Sequence, residues 1–394
     1  MTQTTGDRIN LDHAATTPLD PDVRRAMIEA LGGSFGNPSS VHATGRRARA
    51  ALDDARRGVA RALGAQPHEV VFTSGGTEAN NLAVAGVARH DSRGHVAVAA
   101  IEHHAVLRAA WALRDLGHAV SEIPVDGHGR VTPDALAGQL RPDTALVSIA
   151  LANNEIGTVQ DVPALVRIAH DAGALFHTDA VQAVGQLDIN VDRLGVDLLS
   201  LSGHKIHGPK GIGALYVRDG VELEPMAWGG AQEMGRRAGT ENVPGAVGMA
   251  HAVTAACATW RDLRVRLAAL SGELIDAILA AAPHARLTGH PTSRLPSIAS
   301  FAFADVDAES LLINLDLDGI DASSGAACEA GSIEPSHVVE ALGLPPAYGR
   351  GSLRLSLGRD TTQAEILRAA EVVARHANRL HTAPAPAAAH AAGR

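Results

Sequence analysis

Short apolar runs alternate with amphipathic stretches from about residue 20 to residue 220. The apolar runs are rich in β-branched residues and end in small or polar ones, which predicts β-strands. The amphipathic stretches, such as residues 77–90 and 161–173, predict helices. The predicted strands are residues 69–74, 95–100, 144–150, 174–179, 197–202 and 212–217. This alternation predicts an α/β fold with a mostly parallel sheet that has helices on both faces.

The pattern changes after residue 241. An alanine-rich stretch at residues 243–282 predicts one long helix that connects two domains. Beyond it, apolar runs at residues 297–303 and 352–358, with a helix that begins near Asp307, predict a smaller α/β domain. The expected organisation is an N-terminal segment packed with the small domain (1–20), a large domain (21–255), the small C-terminal domain (256–380) and a disordered Pro/Ala tail (381–394).

The composition narrows the class of protein. The chain has 394 residues, of which 46% are hydrophobic and 20% charged, as in ordinary globular enzymes. A net charge of −9 argues against a broad surface for nucleic acid or anionic membranes. We also find no apolar run near the roughly 18 residues of a membrane span and no apolar core of a secretion signal. Two cysteines, Cys257 and Cys328, cannot form a disulfide framework, which favours a reducing cytoplasm.

Lysine is nearly absent from this chain. Of the 34 basic residues, two are lysines, Lys205 and Lys210, and both lie within residues 202–211. Arginine supplies positive charge elsewhere, but a guanidinium stays protonated and cannot act as a nucleophilic amine. Lys210 lies between a proline and a glycine in a predicted turn, where chance placement explains it. We therefore interpret Lys205 as a functional amine.

Other polar groups follow predicted strands, at the sheet edge where ligands bind in such folds. Residues 73–80 lead through two glycines into a helix start, a turn that admits an anion, although such turns are common and the signal alone is weak. Asp179 and Lys205 follow two further strands, although a carboxylate there can also be a helix N-cap. Pyridoxal phosphate needs an amine for its aldehyde, a carboxylate for its pyridine nitrogen and donors for its phosphate. The three features together predict that cofactor.

With these residues in view, the chain resembles the cysteine desulfurases of class V of the pyridoxal-phosphate transferases. The matching motifs, in chain order, are LDHAATTPLD (11–20), FGNPSSVH (35–42), SGGTEANN (74–81), IEHHAV (101–106), ANNEIGTVQD (152–161), HTDAVQ (177–182), SGHKIHGPKGIGALYV (202–217), RRAGTENV (236–243), SSGAACEAGSIEPSHV (323–338) and SLRLSLGR (352–359). The resemblance implies fold type I of these transferases. The loop around Cys328 is similar to that of the long-loop group, which is associated with iron–sulfur assembly and tRNA thiolation.

The resemblance also implies roles for individual residues. Lys205 would bind the cofactor covalently through its amine, Asp179 would pair with the pyridine nitrogen, and His103 would stack on the ring and act as acid or base. The remaining cofactor contacts would come from Gly76, Thr77, Asn154, Gln182, Ser202 and His204. Thr240 would reach the phosphate from the partner subunit, which implies a homodimer.

The implied substrate is L-cysteine, with its carboxylate held by Arg354 and Asn37. Cys328 would take the sulfur as a persulfide, leave L-alanine, and pass the sulfur to an acceptor protein such as an iron–sulfur scaffold or a tRNA thiolase. The small residues around Cys328 favour a mobile loop that visits both substrate and acceptor. No resident metal is expected, although Cys328 could ligate a transferred cluster. Cys257, inside the long predicted helix, is expected to be a small buried hydrophobe.

Two departures from the family pattern leave the sulfur acceptor open. His13 replaces an expected tyrosine or alanine, and the Pro/Ala tail lacks the acidic–aromatic ending associated with scaffold docking. Two other functions also stay open. One is another reaction on the same fold, such as a selenocysteine lyase or an aminotransferase, against which Cys328 argues. The other is a catalytically silent docking platform for sulfur carriers, against which Lys205 and Asp179 argue.

Overall fold

The computed structural model describes residues 8–324 and 336–381, which form a large and a small β-sheet with surrounding helices. The strands are β1 (Ile9–Asn10), β2 (Val70–Thr73), β3 (His95–Ala99), β4 (Ala119–Ile123), β5 (Thr144–Ser148), β6 (Leu175–Asp179), β7 (Leu198–Ser202), β8 (Gly213–Val217), β9 (Ala285–Leu287), β10 (Ile298–Phe303), β11 (Ile320–Asp321) and β12 (Ser352–Ser356). The α-helices are α1 (Pro21–Gly33), α2 (Ala43–Leu63), α3 (Gly76–His90), α4 (His104–Arg114), α5 (Pro133–Ala137), α6 (Val162–Asp171), α7 (Val191–Leu194), α8 (Val243–Ala281), α9 (Ala308–Leu317), α10 (His337–Ala341) and α11 (Gln363–His381).

The large sheet has seven strands in the order β2-β8-β7-β6-β5-β3-β4. Strand β8 runs antiparallel to both of its neighbours, and the other pairs are parallel. Most of these strands are buried along their whole length, which is why their sequences are continuous apolar runs rather than alternating ones. The predicted α/β fold with a mostly parallel sheet is confirmed, and the carboxyl ends of β5, β6 and β7 lie together.

Local signals set the helix ends. Asp20 caps α1, since its side chain accepts hydrogen bonds from the backbone N–H groups of Asp22 and Val23. Helix α2 ends at Gly64, whose φ of 74° is a left-handed conformation that glycine adopts without strain. Only two residues separate the end of β2 from the start of α3, so the turn between them brings a helix N-terminus to the edge of the sheet.

The small sheet has three antiparallel strands in the order β12-β10-β9. Helix α8 joins the two sheets, because its first half packs into the core of the large sheet and its second half supplies Leu267, Leu274 and Ile278 to the core of the small one. The boundary predicted at residues 255/256 falls inside this continuous helix, and the division into domains stays a prediction. None of the helices within 8–324 and 336–381 is long and apolar enough to span a membrane.

The N-terminal segment packs against the small sheet. Strand β1 pairs in parallel with β11, and Ser356 of β12 donates its backbone N–H to the carbonyl of Leu11 at 2.6 Å. The His13 ring covers Gly358 so closely that a β-carbon at residue 358 would lie 2.3 Å from its Cε1 atom. His13 therefore leaves room only for glycine at residue 358.

Gly358→Ala should lower the free energy of unfolding by about 1–3 kcal/mol, the usual cost of overpacking. His13→Ala removes the ring, so adding Gly358→Ala to that variant should cost clearly less. Urea unfolding of the parent, both single variants and the double variant measures this coupling. An equal cost of Gly358→Ala in both backgrounds would contradict the role given to the His13 ring.

Candidate active site

A cavity of about 290 Å³ lies at the carboxyl ends of the parallel strands. Its wall includes ten of the residues predicted from the sequence: Gly76, Thr77, His103, Asn154, Asp179, Gln182, Ser202, His204, Lys205 and Arg354. They come from the start of α3, from the ends of β6 and β7 and the turns after them, from the residue before α4, from the loop after β5, and from β12 of the small sheet. The structure therefore brings together residues that are up to 278 positions apart in the chain, from Gly76 to Arg354.

The β2–α3 turn forms one end of the cavity and continues into a second opening that Ser74, Gly75 and Lys210 also line. At Gly76 a β-carbon would lie 2.8 Å from Cγ2 of Val181, so only glycine lets the backbone approach this closely. The N–H groups of the first turn of α3 lack partners within the helix and favour an anion. This end of the cavity can hold a phosphate.

His204 lies beside that end. Its Nδ1 is 3.1 Å from the hydroxyl of Thr16, and burial, aided by the charges of Lys205 and Lys210, lowers the pKa of His204 to about 4. The ring is therefore neutral near pH 7, where it contributes hydrogen bonds rather than charge.

Asp179 ends β6 on the floor of the cavity. Its Oδ2 accepts a hydrogen bond from Nδ2 of Asn80 at 2.6 Å, and its Oδ1 accepts the backbone N–H of Val181 at 2.8 Å. Within the described parts of the chain, Asp179 makes no ion pair with an arginine or lysine. Gln182, three residues later, donates its amide to the carbonyl of Ala14 at 2.9 Å. The carboxylate is thus fixed by neutral donors and can stabilise a positive charge on a bound ring.

His103 is the N-cap of α4. Its Nδ1 accepts the backbone N–H of Ala105 at 3.0 Å, so in the neutral ring the proton is on Nε2. Burial lowers the pKa of His103, against the opposing effect of the Asp179 charge. The imidazole is therefore neutral near pH 7 and holds its proton at Nε2.

Lys205 lies in the short turn after β7. Its Nζ donates hydrogen bonds to the backbone carbonyls of Ala14 at 2.5 Å and Ala15 at 2.8 Å. These acceptors carry no formal charge, and they belong to the segment that also packs on the small sheet. The N-terminal segment thereby sets the position of the amine in the cavity.

Arg354 reaches the same cavity from β12 and is only 2% exposed. One terminal nitrogen, Nη1, donates to the carbonyl of Asn154 at 2.9 Å, and Nη2 forms an ion pair with Asp12 at 2.9 Å. These bonds orient the guanidinium at the cavity wall, where it can bind the carboxylate of a small substrate.

Two predicted residues lie elsewhere. Asn37 is exposed and uses its Oδ1 to accept the N–H of Ser39, and Thr240 is exposed, so neither lines the cavity of its own chain. Cys328 is outside the described residues.

Sequence reasoning gave no role to Asn80, Glu102 or His337, which surround the same site. Glu102 is fully buried, and this burial raises the pKa of its carboxyl well above the usual range. Its Oε1 accepts the N–H of Ala150 at 2.7 Å, and Nε2 of His337 donates to its backbone carbonyl at 3.0 Å. A glutamate directly before a candidate histidine at a strand end was the available signal, in the motif IEHHAV.

Comparisons with known proteins show the family to which the chain belongs. The family model for class-V aminotransferases matches residues 9–368. The chain belongs to the aminotransferase class-V family. It is 46% identical to cysteine desulfurase IscS from Dictyoglomus turgidum, over 95% of each chain. Among solved structures, it is similar to a NifS-like protein, with a TM-score of 0.87 and 34% identity over 93% of this chain and 98% of the other. It is also similar to SspA in complex with cysteine, with a TM-score of 0.77 and 35% identity over 90% of this chain and the whole of that one.

Pyridoxal phosphate is the cofactor of this class-V family, and the residues of the cavity fit it. The amine of Lys205 and the carboxylate of Asp179 line one cavity, and the glycine turn at Gly76 opens backbone donors toward its far end. The donor set is thus the one that the cofactor's aldehyde, pyridine nitrogen and phosphate require.

Lys205→Ala should abolish covalent attachment of the cofactor, because the neighbouring Lys210 lies at the outer opening and not in the main cavity. The measurement is borohydride reduction of the holoprotein followed by peptide mass spectrometry. Lys210→Ala is the matched control and should keep the adduct on the peptide that contains Lys205. Attachment to Lys210 in the parent protein would contradict the assignment.

Acid should destabilise the protein partly through His177, two residues before Asp179 on the same face of β6. Its ring lies between the hydroxyls of Ser148 and Ser200, and burial lowers the pKa of His177 to about 3. The unfolded chain takes up this proton near pH 6.5, so the stabilisation is complete above that pH and is lost as the pH falls toward 3.

The expected loss due to His177 is about 1.4 kcal/mol per pH unit within that window. Urea unfolding between pH 7 and 5 measures it, and His177→Gln should flatten the slope by about one proton while the exposed His251→Gln should not. An unchanged slope in His177→Gln would show that this ring does not remain neutral in the folded state.

Proposed function

We propose that this protein is a pyridoxal-phosphate-dependent cysteine desulfurase, which converts L-cysteine to L-alanine and leaves a persulfide on Cys328. The observation that carries the proposal is the cavity that contains Lys205, Asp179 and Arg354 together. The similarity to cysteine desulfurase IscS over 95% of both chains supports the same reaction.

Each residue of the cavity has a separate role in the proposed reaction. When bound, pyridoxal phosphate withdraws electrons from the substrate α-carbon, which makes its proton removable. Asp179 keeps positive charge on the ring nitrogen, and Nζ of Lys205 takes the α-proton. Arg354 binds the substrate carboxylate and so orients the molecule, with Asn37 as a further proposed contact. The resemblance gives His103 a role as acid or base, and in the neutral ring its Nε2–H is suited to donate a hydrogen bond to the substrate.

Sulfur transfer is assigned to Cys328. Its thiolate attacks the substrate sulfur, a sulfur–sulfur bond forms, and the carbon–sulfur bond breaks. The electron pair of the broken bond stays on the substrate carbon, which takes up a proton to give alanine, so no further oxidant is needed. Burial raises the pKa of Cys257, the other cysteine, to about 11, which makes it a poor nucleophile near pH 7.

A homodimer is part of the proposal. Thr240 is exposed and does not line the cavity of its own chain, as expected for a residue that contacts the phosphate of a partner subunit. Large apolar side chains are also exposed, including Phe35 (76%), Val41 (88%) and Trp228 (73%). Exposed apolar side chains of this size favour a protein–protein contact.

The persulfide sulfur would pass to an acceptor protein for iron–sulfur assembly or tRNA thiolation. The relatives named IscS support a general sulfur donor of this kind. The reducing cytoplasm predicted from the low cysteine content would keep the thiol of Cys328 available.

Cys328→Ser should fold and bind the cofactor, because the hydroxyl is nearly the size of the thiol, but it should form neither persulfide nor catalytic alanine. The measurement is alanine release from L-cysteine, without a keto acid, together with persulfide labelling of the protein. Cys257→Ser is the matched control and should behave like the parent.

Other outcomes decide between the alternatives. Normal turnover by Cys328→Ser with an inactive Cys257→Ser would move the sulfur chemistry to α8. Turnover that requires a keto acid would favour an aminotransferase, and preference for selenocysteine would favour a lyase. A parent protein that binds no cofactor would favour the docking platform.

A further inference from the structure

A buried ion pair joins α2 to the segment that carries Thr240. The guanidinium of Arg56 donates from Nη1 to Oε2 of Glu233 and from Nη2 to Oε1, both at 2.6 Å. The side chains are 9% and 1% exposed, and the guanidinium also lies over the ring of Phe72, 4.9 Å from its centre. Such a two-bond contact, excluded from water, fixes both position and direction.

Glu233 has a second partner at the edge of the large sheet. Its Oε2 accepts the backbone N–H of Phe72 at 2.8 Å, on the outer strand β2 just before the glycine turn. Arg56 in turn donates to the carbonyl of Val70 at 2.5 Å. The pair thus holds the segment after residue 230 against the strand that leads to the phosphate end of the cavity.

The backbone at Glu233 is strained in a way that this pair explains. Glu233 and Met234 have φ values of 47° and 59°, left-handed conformations that are unfavourable for residues with a β-carbon. They persist where surrounding contacts determine them. Farther along, Arg237 forms an ion pair with Glu78 in the first turn of α3 at 2.8 Å. The loop is therefore anchored on both sides of its turn, shortly before Thr240.

We propose that Arg56 and Glu233 are positioning residues that present Thr240 to the cofactor phosphate of the neighbouring subunit. The inference rests on the proposed function, because it requires a homodimer that binds the cofactor. The buried pair holds a strained turn, and the turn sets the direction in which the chain leaves toward Thr240. Loss of the pair should therefore weaken cofactor binding in the partner's cavity rather than in the chain that carries the change.

Glu233→Gln should release the cofactor roughly tenfold faster, the effect of losing a hydrogen bond to a charged group. Because it also leaves Arg56 buried without its partner, the double variant Arg56→Met/Glu233→Met is needed to separate positioning from folding. The apolar pair should restore the melting temperature but not the retention of cofactor. Arg57→Met is the control on the same helix, since it removes an exposed pair with Asp54 and should change neither.

Mixed dimers with two affinity tags test the direction of the effect. Lys205→Ala marks a subunit whose own site cannot hold the cofactor covalently, so borohydride trapping on Lys205 reports the other site alone. In the first dimer, Lys205→Ala/Glu233→Gln is paired with the parent chain. In the second, Lys205→Ala is paired with Glu233→Gln. The site that can be trapped is the one in the subunit that keeps Lys205. We expect this site to lose cofactor faster than the parent in the first dimer and to behave like the parent in the second.

The reverse pattern would show that the pair acts within its own chain, and equal loss in both dimers would show that its effect has no direction; either result would overturn the proposal. Restored cofactor retention in Arg56→Met/Glu233→Met would also overturn it, because the pair would then serve folding alone. A parent protein that is monomeric by light scattering but retains cofactor would refute the inference while leaving the desulfurase reaction standing. A parent dimer that retains cofactor but makes no alanine would refute the reaction while leaving the positioning role standing.

Discussion

Two hydrogen bonds from Lys205 to Ala14 and Ala15 connect the parts of the molecule on which the site depends. The lysine belongs to the large sheet, whereas residues near Ala14 pack on the small one. Asp12, two residues earlier, forms the ion pair that orients Arg354 of β12. The reactive amine and the predicted substrate clamp are therefore aligned by one short segment, and neither sheet alone could form the cavity.

The sequence predicted most of the large sheet, because strands buried on both faces leave a continuous apolar signal. Strand β4 was missed because it is not buried on both faces and so lacks this continuous apolar signal. Its residues AVSEI are mostly half-exposed and include Glu122, so little of the strand is distinguishable from a loop. The order of the strands, with β8 inserted antiparallel beside β2, depends on contacts between distant residues and has no local signal.

The site was predictable where a polar residue follows a predicted strand, as Asp179 does, and where in addition its residue type is rare, as for Lys205 in a chain with two lysines. The roles of Arg354 and Thr240 were predicted from family resemblance alone. One arginine among many has no distinguishing local pattern, and neither does a single threonine in a polar turn. Asn80 could not be predicted, because its partner Asp179 lies 99 positions away and nothing near Asn80 indicates a buried carboxylate. Spacing identifies groups at strand ends, but it does not identify the neutral donors that orient them.

Burial shifts the pKa values of several side chains in and next to this site toward their neutral forms. It lowers the pKa values of His103, His177 and His204, so these three imidazoles are neutral near pH 7, and it raises the pKa of the Glu102 carboxyl. The ionisable side chains that line the cavity without such an imidazole ring include Lys205, Arg354 and Asp179. In the proposed site, backbone donors at the start of α3 would bind the phosphate and Arg354 would bind the substrate carboxylate, and the neutral rings of His103 and His204 in the same cavity add no charge to either donor set. A protonated histidine in this cavity would attract either anion, so in the proposed function the neutral rings would help to keep the cofactor end and the substrate end distinct.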